Sequence, residues 1–241
     1  PAAAAMIAAL AAGAGAGALS GFLVARWRMQ PFIATLAVMV LARGVSKLVS
    51  GGMKVSTAIQ DASGAWTFVE VPAVFRSLDA RLFDNQIAVV TVIFVAILGI
   101  SHLALERLRF GRHLLAIGGA EEAARLSGVP IGRTKFVVYV VSGLFAGCAG
   151  ILQAAQEQQG DPETGQGYEL IAIAMVVIGG TSLTGGRGSI GLTLVGVLAI
   201  GYLEKILSIN AVPEAWRLIL TGVVIGAAVL AGAVGDIKDA A

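Results

Sequence analysis

Residues 134–155 read TKFVVYVVSGLFAGCAGILQAA, and Lys135 is the only charge among them. A helix needs about 20 mostly apolar residues to cross a hydrocarbon core of roughly 30 Å, because each residue advances it about 1.5 Å. The stretch therefore predicts a membrane span, and its flanks predict its direction. Upstream, 105–135 carries six positive residues (Arg107, Arg109, Arg112, Arg125, Arg133, Lys135) against three acids. Downstream, 156–169 carries no positive residue and four acids: Glu157, Asp161, Glu163 and Glu169. Lys and Arg are enriched in cytoplasmic loops, so this span runs from inside to outside.

Working outward, 2–25, 31–50, 86–105 and 215–235 also reach spanning length, and 189–209 adds another with Glu204 and Lys205 near one end. The piece 168–183, YELIAIAMVVIGGTSL, is shorter and is ended by Gly179 and Gly180. A short crossing, a broken helix and a re-entrant half-helix all fit it. The expected fold is all-α, a polytopic transmembrane helical bundle with about seven membrane segments in a single domain over 1–241. Alternating the spans places the start outside and the C-terminus inside. Ten of the 17 Lys and Arg then fall in inside segments, three in outside loops and four within spans. The stretch 51–85 becomes an extracytoplasmic loop, long for a bare connection. Its Trp66, Phe68, Val69, Val71, Val74, Phe75 and Leu78 predict that it folds on the membrane surface, as a partner-receiving cap or as an interfacial belt.

Composition agrees. Apolar residues make up 57% and charged residues 13%, with a mean hydropathy of +0.85. A soluble domain carries about 25% charged residues, because its surface faces water. The 32 glycines lie largely within apolar runs, where small residues let helices in lipid approach closely. A net charge of +2 without a basic, aromatic-interleaved cluster argues against nucleic acid. The lone Cys148 excludes an internal disulfide, and His102 and His113 predict no metal site. No paired carboxylates or Ser–His–Asp set supports catalysis. The chain opens at Pro1 without a basic n-region, and 2–25 is too long and Ala/Gly-rich for a signal peptide. A fragment boundary or processed start is expected, with an odd number of spans upstream if the native N-terminus is cytoplasmic.

Three features could carry function. The first is AEEAARLSGVP, 120–130, in the inside loop. Glu121 and Glu122 favour the positive end of a helix dipole, and Arg125 sits four residues after Glu121, at ion-pair spacing. Gly128 and Pro130 stop the helix. About two exposed turns are marginal alone, so this helix is either gripped by a partner or rests on the membrane. The second is GGTSLTGGRGS, 179–189, in which two Gly pairs bracket hydroxyls. It is not a P-loop, since no GxxxxGK[ST] occurs and no strand precedes it. A broken helix lining a cavity and a tight turn remain open, with Gly179, Gly180, Thr181 and Ser182 as candidate path residues. The third is polarity within spans. Arg43 is expected to face the interior, whereas Lys47, Lys205 and Arg217 are expected to snorkel. Gln153 and Gln156 could hydrogen-bond a polar solute or sit in the outer headgroup layer.

Three blocks resemble the membrane subunits of bacterial ABC importers for monosaccharides, of the ribose, xylose and arabinose type. They are ARWRMQPFIATLAVMVLARGVSKLVSGG (25–52), RFGRHLLAIGGAEEAARLSGVPIGRTK (109–135) and GYELIAIAMVVIGGTSLTGGRGS (167–189). The resemblance implies a cytoplasmic coupling loop over 105–133, with Glu121, Glu122, Ala123, Ala124, Arg125, Leu126, Ser127 and Gly128 as the helix that docks on an ATPase. It implies that this chain binds no cofactor, ATP and Mg belonging to that cytoplasmic ATP-binding subunit. It further implies a periplasmic sugar-binding protein, a second permease copy, lipid surroundings and the bacterial inner membrane. Members of this family begin with further spans that are absent here. The outer sequence QEQQGDPETGQG (156–167) and the Glu204–Lys205 pair depart from a ribose permease. Related permeases carry nucleosides or branched-chain amino acids, and a passive channel or secondary transporter is the alternative from another class.

Overall fold

The computed structural model describes residues 2–60, 66–68, 72–82, 86–183 and 185–239. Its helices are α1 (Ala2–Trp27), α2 (Pro31–Ser50), α3 (Ala73–Asp79), α4 (Val89–Glu106), α5 (Arg109–Gly119), α6 (Glu121–Leu126), α7 (Ile131–Glu157), α8 (Tyr168–Ile178), α9 (Ile190–Ile209) and α10 (Glu214–Asp239). Six short strands accompany them: β1 (Val55–Ser56), β2 (Ala58–Gln60), β3 (Trp66–Phe68), β4 (Arg81–Leu82), β5 (Ile87–Ala88) and β6 (Gln159–Gly160). The molecule is a helical membrane bundle. Among the described residues, five helices are long and apolar enough to cross a membrane: α1, α2, α4, α7 and α9. α10 covers the expected stretch 215–235, and its described residues include the apolar piece Ala215–Val224.

Backbone chemistry sets the helix ends. Pro31 opens α2, where its missing N–H costs nothing, and Gly51 closes it in the left-handed region at φ 63°. Pro130 precedes α7, which continues unbroken through four glycines to Glu157. The chain divides into two compact units, 1–97 with 130–164, and 98–129 with 165–241.

In the first unit, α1 packs along α7, and the contact is made by glycine. Gly13, Gly17 and Gly21 recur every fourth residue on α1; Gly13 faces Gly143 and Gly147 on α7, Gly17 faces Tyr139, Val140 and Gly143, and Gly21 faces Phe136 and Tyr139. A Cβ added at Gly17 would lie 2.2 Å from the Tyr139 carbonyl oxygen, and one at Gly143 2.2 Å from that of Gly13. The two backbones thus touch directly. Since lipid tails are as apolar as the side chains, dispersion between closely approaching backbones is what favours association in a membrane. The loops after α2 and α7 also meet: β1 pairs antiparallel with β6, Val55 opposite Gly160 and Ser56 opposite Gln159.

The stretch 51–85 is more structured than a bare loop. β2 and β3 form a hairpin with Ala58 opposite Phe68, α3 packs on α7, and β4 pairs with β5. Val69 and Val71, expected on its apolar surface, lie outside the described residues.

In the second unit, α8 and α9 form an antiparallel pair. A Cβ at Gly196 would lie 1.9 Å from the Met175 carbonyl, and one at Gly179 2.5 Å from that of Leu192. α8 has 11 residues, about 16 Å of helix and roughly half the hydrocarbon thickness. It ends where the sequence predicts, at Gly179 and Gly180. α10 packs against α8.

Candidate functional site

The short helix α6 follows α5 with a single intervening residue. Ala120 closes α5, donating its N–H to Ala116 O at 3.0 Å, and opens α6, accepting from Ala124 N at 2.9 Å. At the far end, Val129 N donates to Ala124 O and Gly128 N to Arg125 O, each at 3.0 Å. With Gly128 at φ 79°, this is a Schellman closure that satisfies two of the last carbonyls. The expected stop is therefore present in detail. Ala124 is buried, whereas Leu126 is 89% exposed. The Leu126 side chain thus projects away from the interior of this chain, on the same short helix as the paired Glu122 and Arg125.

The charge pairing differs from the expected one. Arg125 donates through Nη2 to both carboxylate oxygens of Glu122, not to Glu121. The i,i+3 and i,i+4 neighbours are both within reach on a helix, and the Arg125 rotamer selects the former. That bond and the charge of Glu122 push the guanidinium above its ordinary range.

The GGTSLTGGRGS segment opens with a second Schellman closure. Thr181 N donates to Val176 O at 3.2 Å and Gly180 N to Val177 O at 2.8 Å, with Gly180 at φ 77°. Beyond it, Ser182 N donates to Arg187 O at 3.1 Å. Thr181 Oγ1 lies 3.5 Å from Thr193 Oγ1, joining the turn to α9. Gly179 is buried and Thr181 and Ser182 are half-buried. Thr184, in the middle of the motif, lies outside the described residues.

The other path candidates lie in the first unit. Gln153 and Gln156 both line a cavity of about 320 Å³ between α4 and α7, with Val90, Phe94, Ile97, Phe145, Cys148, Ala149 and Leu152. Its size is at the lower end of small-ligand sites, roughly 300–1,000 Å³. Apolar walls with two amides, each able to donate and accept, suit a small polar solute that also has an apolar face. In this conformation Gln153 donates to Glu157. Arg43 is half-buried on α2 and is not part of that lining.

Lys47, expected to snorkel, is instead paired: its Nζ lies 2.9 Å from Glu163 Oε1. Nearby, Lys54 Nζ lies 2.8 Å from Asp161 Oδ2, and Glu163 N donates to Asp161 Oδ1 at 2.8 Å. These two pairs link the last turn of α2 and the segment after it to the segment after α7, at the end assigned to the outside. The pairs have no local signature in the sequence beyond the four acids and no positive residue of 156–169. His102 lies 3.3 Å from the carboxylate of Glu106, one turn on. One carboxylate with one imidazole is a helix-surface pair.

Apolar helices with outward-facing side chains, joined through glycine-lined contacts and short charged loops, define a multi-pass membrane protein. The whole chain bears this out: it belongs to the family described as branched-chain amino acid transport system / permease component, which matches residues 1–229. It is similar to the ribose import permease protein RbsC of Escherichia coli K12, 40% identical over 226 residues, covering 94% of this chain and 67% of that one. It is similar to the L-arabinose transport system permease protein AraH of the same organism, 38% identical over 212 residues, 88% of this chain and 60% of that one. The RbsC of Bacillus subtilis is 37% identical over 211 residues, 88% of this chain and 62% of that one. The chain thus spans about two thirds of the length of these relatives. No solved structure matches it. Permeases of this family are transport components and not enzymes.

Proposed function

We propose that this chain is the membrane subunit of an ATP-driven importer and forms the path of a monosaccharide across a bacterial inner membrane. Its kinship with ribose and arabinose permeases supports the cargo class. The observation that carries the coupling is α6, a firmly terminated six-residue helix with Leu126 89% exposed beside the Glu122–Arg125 pair. Docked in a groove of a cytoplasmic ATP-binding subunit, Leu126 loses its contact with water and the helix gains the partner that so short an element needs. ATP and Mg act on that subunit. A periplasmic sugar-binding protein delivers solute to the outer loops, and two copies of the chain face one path. Closure of the ATPase draws the coupling helices together and turns the spans from inward- to outward-open.

Within the path, Gln153 and Gln156 hydrogen-bond sugar hydroxyls while Phe94 and Phe145 cover its apolar C–H face. Arg43, on α2 of the same unit, contributes a further polar group. The family's own description favours a second cargo, branched-chain amino acids.

Vesicles holding the chain with its ATP-binding subunit and binding protein test both points. Labelled monosaccharide should enter only with ATP, and other pentoses should compete while leucine does not. Arg125→Glu and Leu126→Ala should each cut uptake about tenfold or more, as expected when an allosteric coupling energy is lost. Unchanged ATP-dependent uptake in both variants, with the ATPase still bound, would remove α6 from the mechanism. Competition by leucine would reassign the cargo, and entry without ATP would point to a channel.

A further inference from the structure

α6 is tied to a second element that no feature of the docking helix itself discloses. Gly118, two residues before Ala120, lies against the turn between α8 and α9. A Cβ added at Gly118 would fall 2.6 Å from the Gly186 backbone nitrogen. One added at Gly185 would fall 2.6 Å from the Gly118 carbonyl oxygen, and one at Gly186 2.9 Å from Gly119 Cα. Contacts this short leave no room for a side chain at Gly118, Gly185 or Gly186, so the two backbones interlock. On one side, α5 reaches α6 through Ala120 alone, whose N–H and carbonyl are both engaged in helix bonds. On the other, the turn is closed by the Ser182–Arg187 bond and joined to α9 by Thr181 and Thr193. α8 and α9 in turn are packed backbone to backbone at Gly179 and Gly196.

From this we infer that the junction of Gly118 with Gly185 and Gly186 is the positioning contact through which movement of α6 reaches the α8–α9 pair. A side-chain contact would absorb a small displacement by changing rotamer; two abutting backbones cannot, and close-packed interfaces transmit strain instead. The inference rests on the proposed docking of α6. It assigns GGTSLTGGRGS the role of a receiver of that motion, rather than of a phosphate loop or a mere turn.

Two adjacent substitutions separate this role from a merely structural one. Both introduce the same methyl into the same helix end and favour helix equally. Gly118→Ala drives the junction apart. Gly119→Ala meets only Gly186 Cα at 3.8 Å, an ordinary contact. In the assembled importer, Gly118→Ala should lower ATP-dependent uptake about tenfold while ATP hydrolysis and ATPase binding persist, and Gly119→Ala should stay within about twofold. Equal effects of the two would overturn the inference.

Arg125→Glu, measured alongside, reports on the docking reading. Intact uptake in that variant sinks the docking of α6 and the inference with it. Lost uptake there, with Gly118→Ala indistinguishable from wild type, sinks the junction alone. A measurement on the unmutated complex keeps the test decisive if Gly118→Ala fails to assemble. ATP binding should change amide exchange both at 119–126 and at 182–188, and a change confined to 119–126 would overturn the inference.

Discussion

At Asp161, two donors converge on one carboxylate: Lys54 Nζ at 2.8 Å and the Glu163 N–H at 2.8 Å. The side chain is 11% exposed while that of Lys54 remains largely in water. The hydrogen bond from Lys54, then that from the Glu163 backbone, hold the carboxyl below its ordinary value of 3.8. The same bond raises the Lys54 ammonium above 10.5. A depressed carboxylate pKa contributes stability that is complete above the unfolded value and is lost as pH falls through the folded one. A raised lysine value works in the opposite direction, its contribution fading as pH rises through it. The pair should therefore hold unchanged from about pH 5 to pH 9, across the gap between ordinary carboxylate and lysine values. Asp161→Asn should lower the Tm modestly and by a constant amount over that window. The difference from wild type should shrink only below the ordinary carboxylate range or above the ordinary lysine range, and a gap that closes near neutral pH would refute the pairing.

Between whole elements, glycine spacing decides which helices meet. α1 is apolar all round, so its hydrophobicity does not choose a face. The recurrence at Gly13, Gly17 and Gly21 does, because only there can α7 approach to backbone contact. Gly17→Ala would place a methyl 2.2 Å from the Tyr139 carbonyl and should destabilise the bundle by about 1–3 kcal/mol, the usual range for overpacking. Gly15, two residues away on the same helix, has nothing within 4 Å of its Cβ position, so Gly15→Ala is the control. Thermal unfolding in detergent should separate the two variants, and equal midpoints would show that the helices do not meet at this seam. α8 illustrates a different element-level rule. Its residues are as apolar as those of any span, yet the Schellman closure at Gly179–Gly180 stops it after 11 residues.

Across the molecule, the loop composition and the tertiary contacts give compatible topologies. The segments 47–56 and 157–163, assigned to the outside, join through β1–β6 and two ion pairs. The segments 118–119 and 185–186, assigned to the inside, join through glycine backbones. Each union requires its two members to lie on one side of the bilayer. With Cys148 replaced by Ala, Ser56→Cys should react with an impermeant maleimide in intact cells, and Ser127→Cys only after permeabilisation. The reverse pattern would invert the assignment of inside and outside.

The membrane class, the stop signals and the long helices, to within a few residues, were already legible in the sequence. These depend on apolar length and on the local backbone freedom of Gly and Pro, as at 31–50, which is α2 to the residue. The family resemblance was legible for the same reason, since its blocks are short contiguous runs. The tertiary structure alone decided which partners those residues found. Arg125 reached Glu122 rather than Glu121, Lys47 met Glu163, and Gln153 and Gln156 came to one cavity beside Phe94. Gly118 came to rest on Gly186 across more than sixty residues of chain. Rotamer choice and close packing between distant segments leave no periodic trace in a sequence. A glycine pair that reads as a turn can therefore prove, once folded, to be the surface on which two helices bear.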